Sequence, residues 1–374
     1  MFQIESPVHG AVLNHRLGRE SAAGLEITVR GRAPMNTPVR VNGVPARRQG
    51  EKFEAEILIE EANAGIEAVC DSPYGRLRHA VRVYYDRASF PRYRFGIDDN
   101  SFFLRDIARN RPGSIFDCFY LEILRKLHRE YHTRFVLNLF FTTPENDFTL
   151  DQFPDSYRDE WRANADWLKL AFHAWSEFPD RPYQYATPQK LAADFDRVHE
   201  EVVRFAGPET WSPLTILHWG MAPPELWPVL AQRGVRVLSG YFRPGPGVNH
   251  YDVNYLVDAP RSDYVFHHDA LLDCPSGITF SRVDLVCNIT PIEKIPALLD
   301  ELARRPETAE IMDLMTHEQY FWPFYKNHIP DHAARLDAAF RWVTEHGYRP
   351  VFFHEGFLGN PKPPADLPRA DSAL

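Results

Sequence analysis

The first 86 residues alternate between apolar and polar positions in short runs. A period of two is typical of β-strands that bury one face and expose the other. Asn42-Gly43 separates two of these runs and predicts a type I′ hairpin turn. Several short strands within this length favour a small β-sandwich. Strands are predicted at residues 25–29, 39–41, 53–59, 66–69 and 80–85.

The pattern changes after residue 88, where apolar strand-like runs alternate with amphipathic helical segments. Strands are predicted at 93–97, 134–141, 167–172, 214–217, 235–238, 311–315 and 350–353, and helices at 115–131, 188–205, 224–233, 292–305 and 332–346. This order predicts an α/β domain with a parallel sheet and crossover helices, closed into a barrel. Residues 241–290 interrupt the pattern and are interpreted as an excursion of hairpins beside the site.

The chain is therefore divided into a β-sandwich module at 1–88, an α/β domain at 89–360 and a flexible C-terminal tail at 361–374. Charged residues make up 25% of the chain and the formal net charge is −9, without a Lys/Arg block, which argues against a nucleic-acid partner. No apolar run approaches the ~20 residues of a membrane span, and no secretory signal pattern is present, so a cytoplasmic protein without a membrane partner is expected. The sequence does not specify an oligomeric state.

Polar side chains collect at the ends of five predicted strands. These residues are Asp98 and Asp99, His173 with Glu177, His218, His317, and His354 with Glu355. Each alone has a structural explanation; Asp99, for example, could cap the helix that follows it. Because active sites of α/β barrels lie at the C-terminal strand ends, we expect the groups to converge. Imidazoles with one carboxylate are typical ligands of a catalytic divalent metal, most often zinc.

Three of these strand ends carry sequence motifs. FGIDD at 95–99, FHAWSE at 172–177 and MDLMTHE at 312–318 resemble, in order and spacing, motifs of the polysaccharide deacetylases (NodB homology, carbohydrate esterase family 4-like). The resemblance covers 92–357 and implies a NodB-like distorted (β/α)7 barrel. The module before it resembles the immunoglobulin-like modules that precede carbohydrate-active domains. That module could be a passive spacer or could bind glycan.

The resemblance also implies roles for individual residues. Asp98 corresponds to the general base, Asp99 and His173 to ligands of a divalent metal, and His317 to the general acid. The implied reaction is hydrolysis of an N-acetyl or O-acetyl group on a carbohydrate. Metal-activated water, an aspartate base and a histidine acid together suit such a reaction, because the amine is a poor leaving group.

The sequence departs from the family pattern at two places. The position of the second motif's second histidine is Glu177, and the family's Arg-x-Pro-x-Gly motif is absent, with His218-Trp219-Gly220 at the corresponding strand end. His218 is favoured as the third ligand and Glu177 is the second choice. His354 and Glu355 are candidates for a further ligand or for a group that supports one.

Candidate substrate-binding residues follow the predicted ligands along the chain. Trp175, Trp219 and Tyr320 could stack on sugar rings, and Arg181 could contact a substrate hydroxyl or anion. Two alternatives to a deacetylase stay open on the sequence. One is a metal-dependent glycosidase or small-amide hydrolase on the same barrel, and the other is a catalytically degenerate glycan-binding protein.

Overall fold

The computed structural model describes residues 2–72, 75–246 and 250–356 as a mixed α/β protein, and the predicted tail at 361–374 lies outside these residues. The strands are β1 Gln3–Ser6, β2 Ala11–Leu13, β3 Arg19–Glu20, β4 Leu25–Arg32, β5 Val39–Val41, β6 Val44–Pro45, β7 Arg47–Gln49, β8 Lys52–Ile59, β9 Asn63–Ser72, β10 Gly75–Tyr85, β11 Arg92–Asn100, β12 Phe135–Phe140, β13 Leu168–Ala174, β14 Val237–Gly240, β15 Arg243–Pro244, β16 Tyr251–Asp252, β17 Ala270–Asp273, β18 Ile278–Arg282, β19 Leu285–Val286, β20 Ile311–His317 and β21 Arg349–Pro350. The helices are α1 Phe102–Asn110, α2 Phe119–Tyr131, α3 Arg158–Ala163, α4 Pro188–Ala206, α5 Trp227–Gln232, α6 Ala259–His267, α7 Ile295–Ala303, α8 His332–Glu345 and α9 Phe353–Gly356.

The N-terminal segment forms two packed sheets around its own apolar core. One sheet has the order β1-β4-β8-β7, and the other contains β2-β10-β9-β5-β6. Buried and exposed residues alternate along β4 and β8, because only one face of each strand meets the core. Asn42 and Gly43 both have positive φ, at 48° and 83°, as a type I′ turn requires. The strands predicted in this segment are thus present, most of them a few residues longer.

The second N-terminal sheet continues into the following α/β unit. β2 pairs with β10 on one side and, through Ala11 and Leu271, with β17 on the other. β18 and β14 complete this sheet, and Arg16 forms a 2.5 Å ion pair with the buried Glu310 across the junction. Backbone hydrogen bonds and a charge pair therefore join the two segments that the sequence pattern separates at residue 88.

The central sheet of the α/β unit has the order β13-β12-β11-β20-β19, and its strands run parallel. All nine residues of β11 are buried, as expected for the middle strand of a sheet covered on both faces. Helix α8 packs on this sheet through Phe340, whose ring lies 4.7 Å from Phe95 and 5.7 Å from Phe135. The parallel order places the C-terminal ends of β11, β13 and β20 at the same edge.

The predicted barrel is not closed by a continuous ladder in the described ranges. Residues 214–217 form no strand, because only single backbone hydrogen bonds connect residues 212–217 to the neighbouring segments. One such bond runs from Ser212 to Leu170 and another from Ser239 to Thr215. The strand predicted at 350–353 is also shorter, because the chain turns into α9 after Pro350. β14 and β18 belong instead to the sheet shared with the N-terminal segment.

The excursion at 241–290 contains the expected hairpins, β15–β16 and β17–β18. It also contains α6, which the sequence pattern did not indicate. Among the described helices, none is both long and apolar enough to cross a bilayer.

Candidate metal centre

A backbone irregularity at the end of β11 turns two adjacent carboxylates towards one cleft. Successive strand residues normally point to opposite faces, but the register with β12 shifts between Ile97 and Asn100. Asp99 has φ of 63°, a left-handed conformation that aspartate adopts more readily than most residues. The Asn100 side chain donates to the carbonyls of Ile97 and Asn138, at 2.6 and 3.2 Å, and so satisfies backbone groups at the irregularity. Asp98 and Asp99 therefore both line the cleft.

Two histidines reach the same cleft with their ring orientations fixed by backbone carbonyls. Nδ1 of His173, on β13, donates to the Ile216 carbonyl at 3.0 Å. Nε2 of His218 donates to the Glu177 carbonyl at 3.0 Å. Because each neutral imidazole uses its one N–H group in this way, Nε2 of His173 and Nδ1 of His218 present lone pairs. Phe140 packs on both rings and keeps them buried.

These two nitrogen atoms meet Oδ1 of Asp99. The Asp99–His173 distance is 3.2 Å, the Asp99–His218 distance is 3.3 Å, and the two nitrogens are 3.2 Å apart. Bonds of 2.0–2.1 Å in a tetrahedral zinc site give ligand–ligand separations of about 3.3 Å. Asp99 Oδ1 is buried and accepts no hydrogen bond from any described residue. Asp99, His173 and His218 are thus a possible metal-binding triad, formed by the three residues the sequence favoured.

The electrostatics of the triad favour a cation at its centre. Burial alone would raise the pKa of Asp99, but the imidazoles of His173 and His218 outweigh it and hold that pKa well below its ordinary value. Burial alone would lower the pKa of His173, but the charges of Asp98 and Asp99 outweigh it and raise that pKa. The triad therefore stabilises positive charge, which a proton or a metal ion can supply.

Asp98 and His317 lie next to each other across the β11–β20 pair. Asp98 is 3% exposed and accepts a 2.7 Å hydrogen bond from the amide of Asn138. His317 Nδ1 donates to Oδ1 of Asn288 at 2.9 Å, and its Nε2 lies 4.0 Å from Oδ2 of Asp99. Both groups are thus held by neutral amides and line the cleft beside the triad.

The side chains of Thr316 and His332 form a chain of hydrogen bonds that holds the Asn288 side chain in place. Thr316 donates to Asn288 Oδ1 at 3.3 Å and lies 2.6 Å from Nε2 of His332. His332 is 1% exposed and stacks on Phe321 at 4.1 Å. Burial and the nearby Arg335 charge lower the pKa of His332 to about 3, so this imidazole is neutral and donates to Thr316. Neither Asn288 nor His332 is predicted as a site residue from the sequence.

The triad lies in a cleft of about 330 Å³, whose walls contain five of the other predicted site residues, Asp98, Glu177, Trp219, His317 and Tyr320. Burial, and then the Asp99 charge, raise the pKa of Glu177. Arg181 lies over the Trp219 ring at 5.2 Å and forms a 3.3 Å ion pair with Asp252. Residues in the walls that the sequence analysis did not name include Asp180, Tyr241, Asp252, Gln319 and Tyr325.

Three predicted residues, Arg181, Trp175 and His354, are not among the residues that line this cleft. Trp175 stacks on Phe141 at 4.2 Å and is 38% exposed outside the cleft walls. His354 lies on α9, where its Nδ1 is 3.3 Å from the Ser212 hydroxyl, because the last strand ends earlier than predicted. The Glu355 side chain lies outside the described residues.

The first turn of α1 is capped by Glu318 and not by Asp99. The buried Glu318 carboxylate accepts hydrogen bonds of 2.7, 2.9 and 2.7 Å from the backbone N–H groups of Ser101, Phe102 and Phe103. This capping leaves Asp99 free for the triad and ties the segment after His317 to the segment after Asp98. The structural explanation considered for Asp99, helix capping, is therefore wrong.

No protein-family model matches the chain, and no curated protein matches it significantly. The functional assignment therefore depends on the geometry of the triad and its surroundings.

Proposed function

We propose that this protein is a metal-dependent hydrolase that removes an acetyl group from a carbohydrate. The favoured substrate group is an N-acetyl group. The observation that carries the proposal is the meeting of three acceptor atoms, one each from Asp99, His173 and His218, within 3.3 Å of one another. Three lone pairs at this separation repel one another unless a cation lies between them. One carboxylate and two imidazoles also match the three-ligand, open-position sites of catalytic zinc.

Zinc is the proposed ion, held by Asp99, His173 and His218. Its chemistry would be to polarise the acyl carbonyl and to lower the pKa of water towards ~7. The two backbone carbonyls that accept from the histidines fix the ring tautomers, so that the ligating nitrogens stay unprotonated and correctly aimed. The motif resemblance supports the same ligand assignment for Asp99 and His173.

Asp98 is proposed as the general base that takes a proton from the attacking water. Its carboxylate lies beside Asp99 but belongs to no ligand triad in the described residues. The Asn138 amide holds one of its oxygens, which leaves the other available to accept a proton. Orientation by a neutral amide, without an ion-pair partner among the described residues, suits a carboxylate that must gain and lose a proton.

His317 is proposed as the general acid that protonates the leaving amine. With Nδ1 donating to Asn288, its Nε2 faces the cleft and can carry the proton. The His317 side chain is 23% exposed, so a substrate can reach it. The β11–β20 register places this acid one strand away from the base.

The proposal extends to the fold. We propose that the α/β unit is a distorted NodB-like barrel and that the N-terminal sandwich is an immunoglobulin-like module. The order of the three motifs and the placement of their ends at one sheet edge support it. The sheet shared through β2 and β17 argues for a rigidly attached module and against a loose spacer.

Metal analysis combined with acetate release from a panel of N-acetylated glycans tests the proposal. We expect about one zinc per chain and acetate release that stops in Asp98→Asn while the metal is retained. Metal without acetate release, but with cleavage of a glycosidic or small-amide bond, would favour the alternative hydrolases. Glycan binding with neither metal nor turnover would favour the degenerate binding protein.

A further inference from the structure

The negative charges of the cleft are not all balanced by the proposed metal. A divalent cation offsets Asp98 and Asp99, and Arg181 forms an ion pair with Asp252. Asp180 is exposed to water, which screens its charge. Glu177 is partly buried in the cleft wall and has no Lys, Arg or His side chain within ion-pair distance among the described residues. The Glu177 carboxylate therefore has no balancing cation among the described residues.

Glu177 does not belong to the metal-binding triad, although the sequence analysis kept it as an alternative ligand. Gln319 lines the same cleft, and its amide opposes the rise in the pKa of the Glu177 carboxyl group that burial and the Asp99 charge cause. The Glu177 backbone carbonyl, and not its side chain, fixes His218. Its carboxylate is therefore available to another group in the cleft.

Gln319 provides a second, independent sign of a missing donor. This residue is 3% exposed and lines the cleft. Its Oε1 is buried and accepts no hydrogen bond within the described ranges. A buried amide oxygen without a donor costs stability, so a bound ligand that presents an N–H group there would be favoured.

The rings of two tyrosines lie in the same cleft as the Glu177 carboxylate and the Gln319 amide. The rings of Tyr320 and Tyr325 are 5.4 Å apart at an interplanar angle of 76°, so they form two walls of a corner. Both side chains are half-buried and line the cleft. Glu177 lines the same cleft as both tyrosines. Burial raises the pKa of each tyrosine; the Asp99 charge and then the Glu177 charge add to this rise at Tyr320, and Tyr320 and then Glu177 add to it at Tyr325.

From this arrangement we infer that the cleft binds a substrate ammonium group between Glu177, Gln319 and the Tyr320–Tyr325 corner. An ammonium group has three donors and no acceptor, which matches a carboxylate and an amide oxygen that only accept. Electron-rich ring faces attract the same charge. Building on the proposed function, the preferred substrate is an acylated compound that also carries a free amine, such as a partly deacetylated amino-sugar oligomer.

Calorimetric titration of the zinc-loaded Asp98→Asn protein, which cannot turn over, tests this inference. The probes are a glucosamine disaccharide with one acetyl group, which is cationic, and the same disaccharide with two, which is neutral. We expect the cationic probe to bind about tenfold more tightly, as one charge-assisted contact provides. Adding Glu177→Gln removes this preference without loss of zinc. The matched control, Asp180→Asn, removes an exposed charge and keeps most of the preference.

Equal affinity for the two probes, or an unchanged preference after Glu177→Gln, would overturn the inference. Loss of zinc from Glu177→Gln would also overturn it, because Glu177 would then be a ligand. Failure of the proposed function has a different signature. A wild-type chain that binds zinc and releases acetate without a charge preference refutes only the ammonium subsite. A chain that prefers the cationic probe but binds no zinc supports the subsite and refutes the metal-dependent hydrolase.

Discussion

Replacing Asp99 by asparagine tests the triad most directly, because it removes the only charged member and keeps the side-chain shape. In the structure Asp99 Oδ1 is buried and lies within 3.3 Å of both imidazole nitrogens. Losing one partner of a buried charge pair costs about 3–5 kcal/mol. We therefore expect the zinc Kd to rise by at least two orders of magnitude, since each ~1.4 kcal/mol is tenfold.

The effect can be measured as a change in folding stability. At a zinc concentration of about 100 times the wild-type Kd, binding adds about 2.7 kcal/mol to the free energy of unfolding. If the Kd of Asp99→Asn is at least ~100 times higher, the same zinc adds no more than about 0.4 kcal/mol. Urea unfolding in chelator and in zinc, for each protein, gives these two differences and cancels any change in the metal-free protein.

The neighbouring substitution Asp98→Asn is the matched control. It removes a buried carboxylate from the adjacent position, but Asp98 is not in the triad. We expect it to keep the zinc-dependent gain in unfolding free energy and to lose acetate release. The reasoning is refuted if Asp99→Asn gains as much stability from zinc as the wild type. It is also refuted if Asp98→Asn loses the gain.

Three further predictions concern the histidines. His317→Ala should slow hydrolysis of amides far more than hydrolysis of activated esters, which need no acid; equal kcat losses on the two substrates would remove the general-acid role. Zinc affinity should fall as the pH falls, by up to tenfold per unit, because the Asp98 and Asp99 charges raise the pKa of His173 and a proton then competes with zinc; a pH-independent Kd would contradict this. His332 stays neutral in the fold down to about pH 3, while the unfolded chain takes up that proton near pH 6.5. Between pH 7.5 and 5.5, urea unfolding should therefore show the wild type losing about 1.4 kcal/mol more stability than His332→Gln, and equal losses would refute this.

The sequence predicted the triad because parallel sheets have a simple rule. Polar residues that end parallel strands gather at one edge, so Asp99 and His173 could be placed together without knowing the detailed topology. His218 was found in the same way, although its supposed strand at 214–217 is only an extended segment. The position of His218 at the end of this segment was enough to predict it as a ligand, although the segment is not a regular strand.

Other features depend on tertiary contacts that no local pattern contains. Glu318 caps a helix more than 200 residues earlier in the chain, so spacing could not assign it. Asn288 and Asn138 are short amides next to or within apolar runs, and their partners are known only once the strands pair. The shared sheet follows from the pairing of β2 with β17, which joins segments that the sequence pattern had divided.

The hydrogen-bond partners of the two histidines of the triad explain the charge of the metal centre. His173 and His218 donate to backbone carbonyls, so each ring presents a lone pair to a metal ion and adds no charge of its own. With neutral rings, Asp98 and Asp99 give the centre a charge that one divalent ion balances. A monovalent ion would leave a buried negative charge, which is costly. Because this balance is complete without Glu177, that carboxylate can bind a cationic group of the substrate.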